Sequence, residues 1–156
     1  MKIEIQKAKF SDLKTLKIIS RKASEASHKY YQPNIVSIMH NSKHFLLDFL
    51  NPFWHIYTVT LDKKLIAFAT VSFYKSWVYH IFVDPEYSNQ GIGTYIMNYV
   101  EQMFKNKNLK SINLYARLNA VSFYTKLGFE DKGEYVWCNI FTRFKKIPLR
   151  NMRKEI

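Results

Sequence analysis

Apolar and polar residues follow two different periods along the chain, and these periods predict where strands and helices lie. Strict alternation over residues 2–8 predicts a first strand. A helical pattern follows, and then a second one over residues 35–50, which Asn51 and Pro52 end because the residue before a proline leaves the helical region. Runs rich in β-branched and aromatic residues predict the next three strands, over residues 54–61, 65–74 and 77–83.

The second half of the chain changes period in the same way. Asn119 is a good N-cap for a short helix, Gly128 suits its C-terminal end, and Gly133 is expected in a turn between two strands. The predicted elements are a helix over 92–103, a strand over 111–116, a short helix over 120–127, and strands over 129–132 and 135–146. The order β-α-α-β-β-β-α-β-α-β-β predicts an α+β fold with a mixed sheet.

Composition narrows the class of protein. With 156 residues, 47% of them hydrophobic, the chain is large enough for one domain with its own core. No run approaches the ~20 apolar residues of a membrane span, and the first residues lack a signal-peptide pattern. Cys138 is the only cysteine, which is typical of a reducing compartment. We expect a cytoplasmic protein that is not bound to a membrane.

The chain is strongly basic, with 24 Lys and Arg against 12 Asp and Glu and a formal net charge of +12. Such a charge favours anionic partners: nucleic acid, an acidic membrane surface or a phosphate-bearing small molecule. A solvated basic surface also explains it, because charge alone specifies no chemistry. Basic residues crowd the C-terminal end, at Arg143, Lys145, Lys146, Arg150, Arg153 and Lys154. We therefore predict a single domain over residues 1–147 and a basic tail over 148–156.

Two of the four glycines, Gly91 and Gly93, lie where a predicted strand gives way to a predicted helix. Helix N-termini carry unpaired backbone N–H groups that attract anions, and glycines let a phosphate approach the backbone closely. Met97 replaces the third glycine of the dinucleotide fingerprint, and no Lys-Ser/Thr pair follows as in a P-loop. The polar side chains of the loop are those of Ser88, Asn89, Gln90 and Thr94. The loop is expected to hold a phosphate or pyrophosphate, with a plain strand-to-helix turn as the alternative.

A second motif, "NAVSFYTKLGF", follows about 30 residues downstream at residues 119–129. Together the two motifs resemble the GNAT family, the GCN5-related N-acetyltransferases that use acetyl-CoA. The loop matches through Val83, Pro85, Gly91 and Gly93, whereas Ser88 stands where the family usually carries an Arg or Gln that helps bind the cofactor pyrophosphate. The second motif matches at Asn119, Ala120, Phe123, Tyr124, Lys126, Gly128 and Phe129.

The resemblance implies a mixed, mostly antiparallel sheet of six or seven strands with helices on both faces. It also implies transfer of the acetyl group of acetyl-CoA to a primary amine of a small molecule or protein, by a monomer or homodimer. The fourth strand is expected to splay from the fifth, leaving a gap for the pantetheine arm. By resemblance, the residues expected to bind the cofactor are Phe82, Val83, Ser88, Asn89, Gln90, Gly91, Ile92, Gly93, Thr94, Asn119 and Tyr124.

The resemblance assigns Tyr124 as the general acid to the leaving thiolate, and core packing is the alternative. Relatives in the family often carry the general base, a Glu or His, on the fourth strand. The matching positions here are Trp77 and Tyr79, and neither is a carboxylate or a histidine. His80 is the only nearby side chain that titrates near neutral pH, and it is the candidate base. Strict alternation directs it away from the face of Tyr79 unless a bulge intervenes. A structural role for His80, or a water relayed by backbone carbonyls, is the alternative.

Other side chains are weaker candidates. His40 and His44 share a helical face but lack a third ligand, so no metal is expected. Glu134 could contact a substrate. The acceptor amine could be framed by aromatic residues, which core packing also explains: Tyr30, Tyr31, Phe45, Trp77, Tyr79, Tyr135 and Trp137.

Two other functional classes remain open at this point. Net charge and interleaved aromatic residues are compatible with a nucleic-acid-binding module, which leaves the second motif unexplained. The departure at Ser88 is compatible with a relative that binds acetyl-CoA without catalysis.

Overall fold

A computed structural model describes residues 2–39, 45–138 and 144–156 of the chain. The strands are β1 (Ile3–Lys7), β2 (His55–Leu61), β3 (Lys64–Ser72), β4 (Trp77–Val83), β5 (Ser111–Arg117), β6 (Glu130–Trp137) and β7 (Ile147–Glu155). The helices are α1 (Leu13–Glu25), α2 (Pro33–Met39), α3 (Phe45–Leu50), α4 (Ile92–Asn106) and α5 (Val121–Lys126). Short 3-10 turns precede α1, α4 and α5.

The strands form one sheet in the order β1-β2-β3-β4-β5-β7-β6. Neighbouring strands pair antiparallel, except β4 and β5, which are parallel. Parallel neighbours need a long crossover, and α4 provides it. The predicted fold class, an α+β fold with a mixed, mostly antiparallel sheet, is confirmed.

Helices cover both faces of the sheet and bury separate cores. On the face that we call the α4 face, α4 and α5 pack through Ile96, Val100, Phe104 and Tyr124. On the opposite face, called the α1 face, the packed side chains are those of Leu16, Ile19, Ile56, Phe68 and Phe82. A cluster in which α2 meets β7 contains Tyr31, Val36, Met39, Ile147 and Leu149. The sheet therefore separates two packed environments.

The predicted basic tail over residues 148–156 is wrong, because residues 147–155 form β7. This strand lies between β5 and β6 and pairs with both. Ile147, Leu149 and Met152 are buried, while basic residues occupy positions between them. The density of positive charge concealed an apolar pattern that fits a strand in the interior of the sheet.

Gly133 lies inside β6 and not in a turn, so the predicted boundary of the last two strands is also wrong. The β6–β7 register shifts between Asp131 and Gly133, where φ of the glycine is +117°. The Gly133 N–H donates to Oδ1 of Asp131 at 2.9 Å. A glycine inside a strand often marks such a bulge. Glu134 consequently lies within β6, where its Oε1 is 3.5 Å from Nη1 of Arg150.

Two helix predictions also change. The predicted helix over residues 35–50 corresponds to α2 and α3, and residues 40–44 lie outside the described part. Asn119 does not cap α5: it lies in the 3-10 turn over 118–120, and Ala120 occupies the N-cap position without a side-chain hydrogen bond. The extra turn shifts the start of the helix by one residue.

Candidate active site

The two parallel strands at the centre of the sheet separate soon after they start. Trp77 pairs with Asn113 and Val78 with Leu114, and no further β4–β5 pair occurs within the described ranges. On its other side β4 stays paired with β3. The pairing between β4 and β5 therefore ends at Val78, while β4 continues to Val83. A gap opens between the strands, as the resemblance to the family implies.

A bulge in β4 determines where His80 points. The β3–β4 register shifts between Thr70 and Val71, which makes Tyr79 the extra residue of β4. Bulges re-aim the side chains that follow them. His80 stacks beside Phe82 on the α1 face, with ring centroids 5.7 Å apart. The sequence analysis allowed His80 a role only if a bulge interrupted the alternation of β4, and such a bulge is present.

The loop before α4 ends at Gly91, whose φ of +80° is left-handed and favours glycine. Gly91 is the N-cap of α4, it offers no capping side chain, and the first turn carries no acid. The first backbone bond of the helix runs from the Tyr95 N–H to the Gly91 carbonyl at 2.9 Å. N–H groups preceding Tyr95 thus have no acceptor within the helix. A side chain at Gly91 would meet nothing within 4 Å, so the approach to these donors is open.

Gly93 has a different reason to be glycine. A Cβ at this position would lie 3.1 Å from the ring of Phe123 in α5. The absence of a side chain therefore lets the first turn of α4 pack against α5. This contact brings the loop over residues 88–94 next to the helix that carries Tyr124.

In the loop over residues 88–94, the backbone offers more binding groups to an anion than the side chains do. Ser88, Asn89 and Thr94 are exposed, and Nε2 of Gln90 donates to the Glu86 carbonyl at 3.1 Å. Ile92 is buried, so it can offer only its backbone. Cofactor contacts by these predicted residues stay predictions, and Gln90 is committed to the loop itself.

An ion-pair network fixes the connection between β4 and this loop. Nζ of Lys22 in α1 lies 3.0 Å from Oδ2 of Asp84 and 3.0 Å from Oε1 of Glu86. Asp84 is buried and also accepts the Glu86 N–H at 3.2 Å. The network anchors the start of the loop to α1.

Tyr124 lies buried in α5 between two rings. Its ring centroid is 5.0 Å from that of Phe123 and 5.5 Å from that of Phe129. Burial raises the pKa of the phenol above its usual range, and the positive charge of Arg117 opposes this only in part. The hydroxyl therefore keeps its proton at physiological pH and can donate a hydrogen bond.

Arg117 is a site residue that the sequence analysis missed. It ends β5 at the splayed side of the gap, where Nη1 donates to Oγ of Ser24 in α1 at 3.0 Å. Its guanidinium carbon lies 4.9 Å from the centroid of the Phe82 ring. Burial lowers the pKa of Arg117 to about 10, so the side chain stays charged at neutral pH. Its position two residues before the second motif was the signal available in the sequence.

Asp48 is the second missed residue. It is 1% exposed in α3, and its Oδ2 lies 3.6 Å from Nε2 of His80. Burial raises the pKa of its carboxyl to about 7, because desolvation disfavours the carboxylate. An acid inside the apolar run "FLLDFL" is the signal that could have revealed it. The same carboxyl borders a cavity of about 190 Å³ between α3, the end of β1 and the start of β2.

Aromatic side chains line the α1 face beside this pair. We call the set of Trp54, Tyr79, Trp77, Tyr115 and Tyr135 the aromatic row. Ring centroids are 4.3 Å apart for Trp54 and Tyr79, 4.8 Å for Trp77 and Tyr115, and 3.6 Å for the stacked pair Tyr115 and Tyr135. Tyr115, which the sequence analysis did not select, thus connects two of the predicted aromatic residues.

The remaining predicted residues are dispersed. Tyr31 is structural: its hydroxyl donates to the Pro148 carbonyl at 3.0 Å and accepts the Leu118 N–H at 2.9 Å. Asn119 and Tyr30 are exposed. His40, His44 and the side chain of Phe45 lie outside the described part. Within that part, no group of three or more His, Cys, Asp or Glu side chains could hold a metal ion. Nor does any described helix have the length and apolar character to cross a membrane.

A family model described as an acetyltransferase (GNAT) domain matches residues 52–131. The matched range contains both strands that form the gap, the loop before α4, and Tyr124. The chain belongs to the GNAT family. The predicted membership of the GNAT family is confirmed.

Known GNAT proteins share sequence with part of this chain and share its fold throughout. GCN5-related N-acetyltransferase 2, chloroplastic, of Arabidopsis thaliana is 32% identical over 72 residues, which are 44% of this chain and 28% of that protein. The chain spans less than half the length of the curated relatives it matches.

Two solved structures resemble the whole chain. A GCN5-related N-acetyltransferase from Rhodopseudomonas palustris superposes with a TM-score of 0.90 at 14% identity, covering 100% of this chain and 97% of that one. The PaiA N-acetyltransferase from Thermoplasma acidophilum, solved with coenzyme A, gives 0.75 at 21% identity and covers 100% of both chains. At these identities the likeness shows a shared GNAT fold.

Proposed function

We propose that the chain transfers the acetyl group of acetyl-CoA directly to a primary amine of a small molecule or protein, acting in the cytoplasm as a monomer or homodimer. One observation carries the proposal: the first turn of α4, which has no capping side chain, packs through Gly93 against Phe123, the residue next to Tyr124 in α5. The net charge of +12 adds a field that attracts the anionic cofactor.

The residues around the gap fit acetyl-CoA. Free N–H groups at the start of α4 suit its pyrophosphate, and the open space beside Gly91 lets phosphate oxygens approach. By resemblance to the family, the backbone of β4 near Phe82 and Val83, which lies beyond the last β4–β5 pair, is proposed to bond the amides of the pantetheine arm. When bound, the cofactor supplies a thioester carbonyl as the electrophile and a thiolate as the leaving group. Because Ser88 contributes no charge, the backbone of residues 88–94 carries the binding.

Tyr124 is proposed to donate a hydrogen bond to the departing sulfur. The pKa of a thiol is about 8.5. Burial raises the pKa of the Tyr124 phenol far above that value. Complete proton transfer from Tyr124 to the thiolate is therefore uphill. A hydrogen bond stabilises the developing negative charge without that cost.

His80 is proposed as the general base that removes the proton of the attacking amine. The bulge at Tyr79 places it on the α1 face, where Asp48 can orient the imidazole through the 3.6 Å approach of Oδ2 to Nε2. Imidazole has the near-neutral pKa that such a step requires. His80→Gln should lower kcat and remove the acidic limb of the pH–rate profile, while the affinity for acetyl-CoA stays unchanged.

Thiol release from acetyl-CoA in the presence of a panel of amines, with mass spectrometry of the products, tests the function. Acetylated amine and free thiol in equal amounts are expected. Binding of acetyl-CoA without any product across the panel would indicate a non-catalytic relative. Salt-dependent binding of RNA or DNA without acetyl-CoA binding would replace the proposal altogether.

A further inference from the structure

Arg117 differs from the other described arginines in having no acidic partner. Arg21, Arg150 and Arg153 each lie within 3.0 Å of a carboxylate oxygen. No ion pair to Arg117 occurs among the described residues. Neither residues 40–44 nor residues 139–143, which lie outside them, contain an Asp or Glu. The chain therefore holds this charge without any carboxylate side chain of its own.

The groups around Arg117 do not replace a counterion. Its hydrogen bond goes to the neutral hydroxyl of Ser24, and its guanidinium faces the ring of Phe82. Tyr31 and Tyr124 are close enough to interact with its charge, but burial raises the pKa of both phenols, so neither is negative at neutral pH. A charge partly withdrawn from water without a partner costs free energy. An anion from outside the chain would offset this cost.

The position of Arg117 indicates what that anion belongs to. The residue ends β5 at the splayed side of the gap and contacts Ser24 and Phe82, both on the α1 face. The donors proposed for the cofactor phosphates lie elsewhere, at the start of α4 on the other face. Arg117 is therefore placed on the side of the gap that also carries His80 and the aromatic row.

The chemistry of the guanidinium selects a planar anion. It has five N–H donors, and Ser24 accepts from one nitrogen, which leaves a pair of donors for another partner. Such a fork matches the two oxygens of a carboxylate. Arg117 retains partial exposure, so a substrate group in the gap can reach it.

We propose that Arg117 binds a carboxylate of the acceptor, which makes the acceptor an α-amino acid or a compound with an α-amino-acid end. The inference rests on the proposed function and names the substrate class of that site. In an α-amino acid, the carbon next to the carboxylate carries the amine, so holding one group orients the other. The same carboxylate could be supplied by a dicarboxylic acyl group on CoA, and the experiment distinguishes these two sources.

The first arm measures calorimetric titrations of the coenzyme A-saturated protein with each common L-α-amino acid and with its α-amide. The amide keeps the side chain and the amine but lacks the negative charge. At least one amino acid should bind about tenfold or more tighter than its amide, as expected for a charged hydrogen-bonded pair. Arg117→Gln should abolish the difference and Arg117→Lys should retain part of it. Arg21→Gln, which removes an exposed charge of the same helix that carries Ser24, should leave it unchanged.

The second arm compares titrations with acetyl-CoA and succinyl-CoA. Tighter binding of succinyl-CoA that depends on Arg117, without any preference among the amino acids, would assign the carboxylate to the acyl group. Circular dichroism and melting temperatures report whether each variant folds, and the comparison in the unaltered protein needs no variant. Absence of a carboxylate preference in both arms, or a preference that persists in Arg117→Gln, would overturn the inference. In that event, binding and turnover of acetyl-CoA with other amines would leave the proposed function standing.

Discussion

The two faces of the sheet border the same gap, but the chain builds them in different ways. On the α4 face, the candidate groups come from two short stretches, residues 83–94 and 119–129, and most are backbone N–H groups. On the α1 face, they are polar or charged side chains from four separate elements: Ser24, Asp48, His80 and Arg117. Backbone chemistry requires glycines and helix ends at fixed spacing, whereas side-chain chemistry requires only that distant residues meet after folding.

The largest expected effect is a loss of acetyl-CoA binding when the loop before α4 is changed. Gly91→Asp places a negative charge at the helix N-terminus and a side chain in left-handed backbone. Because both changes act where the pyrophosphate is proposed to bind, the Kd for acetyl-CoA should rise by about a hundredfold, measured by calorimetry.

Gly133→Asp is the matched control for this loop. Gly133 also has a left-handed φ and open space around it, but it lies in β6. The same strain and the same charge there should leave the Kd for acetyl-CoA within about threefold. An equal loss in both variants would mean that strain or net charge, and not the α4 N-terminus, governs binding.

The sequence predicted the α4 face well because local rules specify it. The strand before Asp84, the left-handed Gly91 and the helix after it follow one another along the chain, and so does the motif around Tyr124. The order of elements predicted the fold for the same reason. β7 was missed because its buried Ile147 and Met152 are interleaved with arginines, so net charge masked the period.

The α1 face could not be assembled from sequence. The 3.6 Å approach of Asp48 to His80 and the hydrogen bond from Arg117 to Ser24 join residues 32 or more positions apart. The bulge at Tyr79, which directs His80, arises from the pairing with β3 and leaves no glycine or proline as a local mark. The only local signs were two charged residues in apolar runs: Asp48 in the middle of one and Arg117 at the end of another. Both positions suggested a charge held away from water.

The second prediction tests whether Tyr124 acts in the reaction and not in binding. Tyr124→Phe keeps the ring contacts with Phe123 and Phe129 but removes the donor. We expect kcat to fall by about 10- to 100-fold, with the Kd for acetyl-CoA unchanged. Tyr95→Phe, which removes an exposed hydroxyl from α4, serves as the control. Unchanged kcat in Tyr124→Phe would return this residue to a packing role.

The third prediction concerns the buried acid of the α1 face. Burial raises the pKa of the Asp48 carboxyl to about 7 in the folded chain, from 3.8 for an ordinary Asp carboxyl. Its contribution to the free energy of unfolding is therefore fully present below about pH 4 and is lost as pH rises through 7. Asp48→Asn should match the unaltered protein near pH 4 and exceed its free energy of unfolding by about 1–3 kcal/mol at pH 8.

Urea unfolding at several pH values measures this difference, and Asp62→Asn in an exposed turn is the control. Destabilisation by Asp48→Asn between pH 5 and pH 6 would show the reverse situation. In that case an ionised Asp48 paired with protonated His80 would stabilise the fold, and the pair would be a structural ion pair.

The smallest expected effect is on the KM for the acceptor, which we expect to bind at the α1 face. Tyr135→Leu removes one ring from the stacked end of the aromatic row. Since an aromatic contact contributes roughly 0.5–1.5 kcal/mol, the KM for the acceptor should rise by about two- to tenfold while the Kd for acetyl-CoA stays constant. Tyr74→Leu, at an exposed ring outside the row, should change neither value. A change in acetyl-CoA affinity in Tyr135→Leu would contradict the division of the two faces.

The most direct test of the account is calorimetric titration of the unaltered protein with acetyl-CoA at low salt. A backbone anion site at the start of α4 that opens onto the β4–β5 gap predicts saturable binding of one equivalent with a Kd in the micromolar range. Absence of binding at millimolar acetyl-CoA would contradict it. The GNAT fold would then serve another purpose here, and the positive charge would direct the next titration toward nucleic acid.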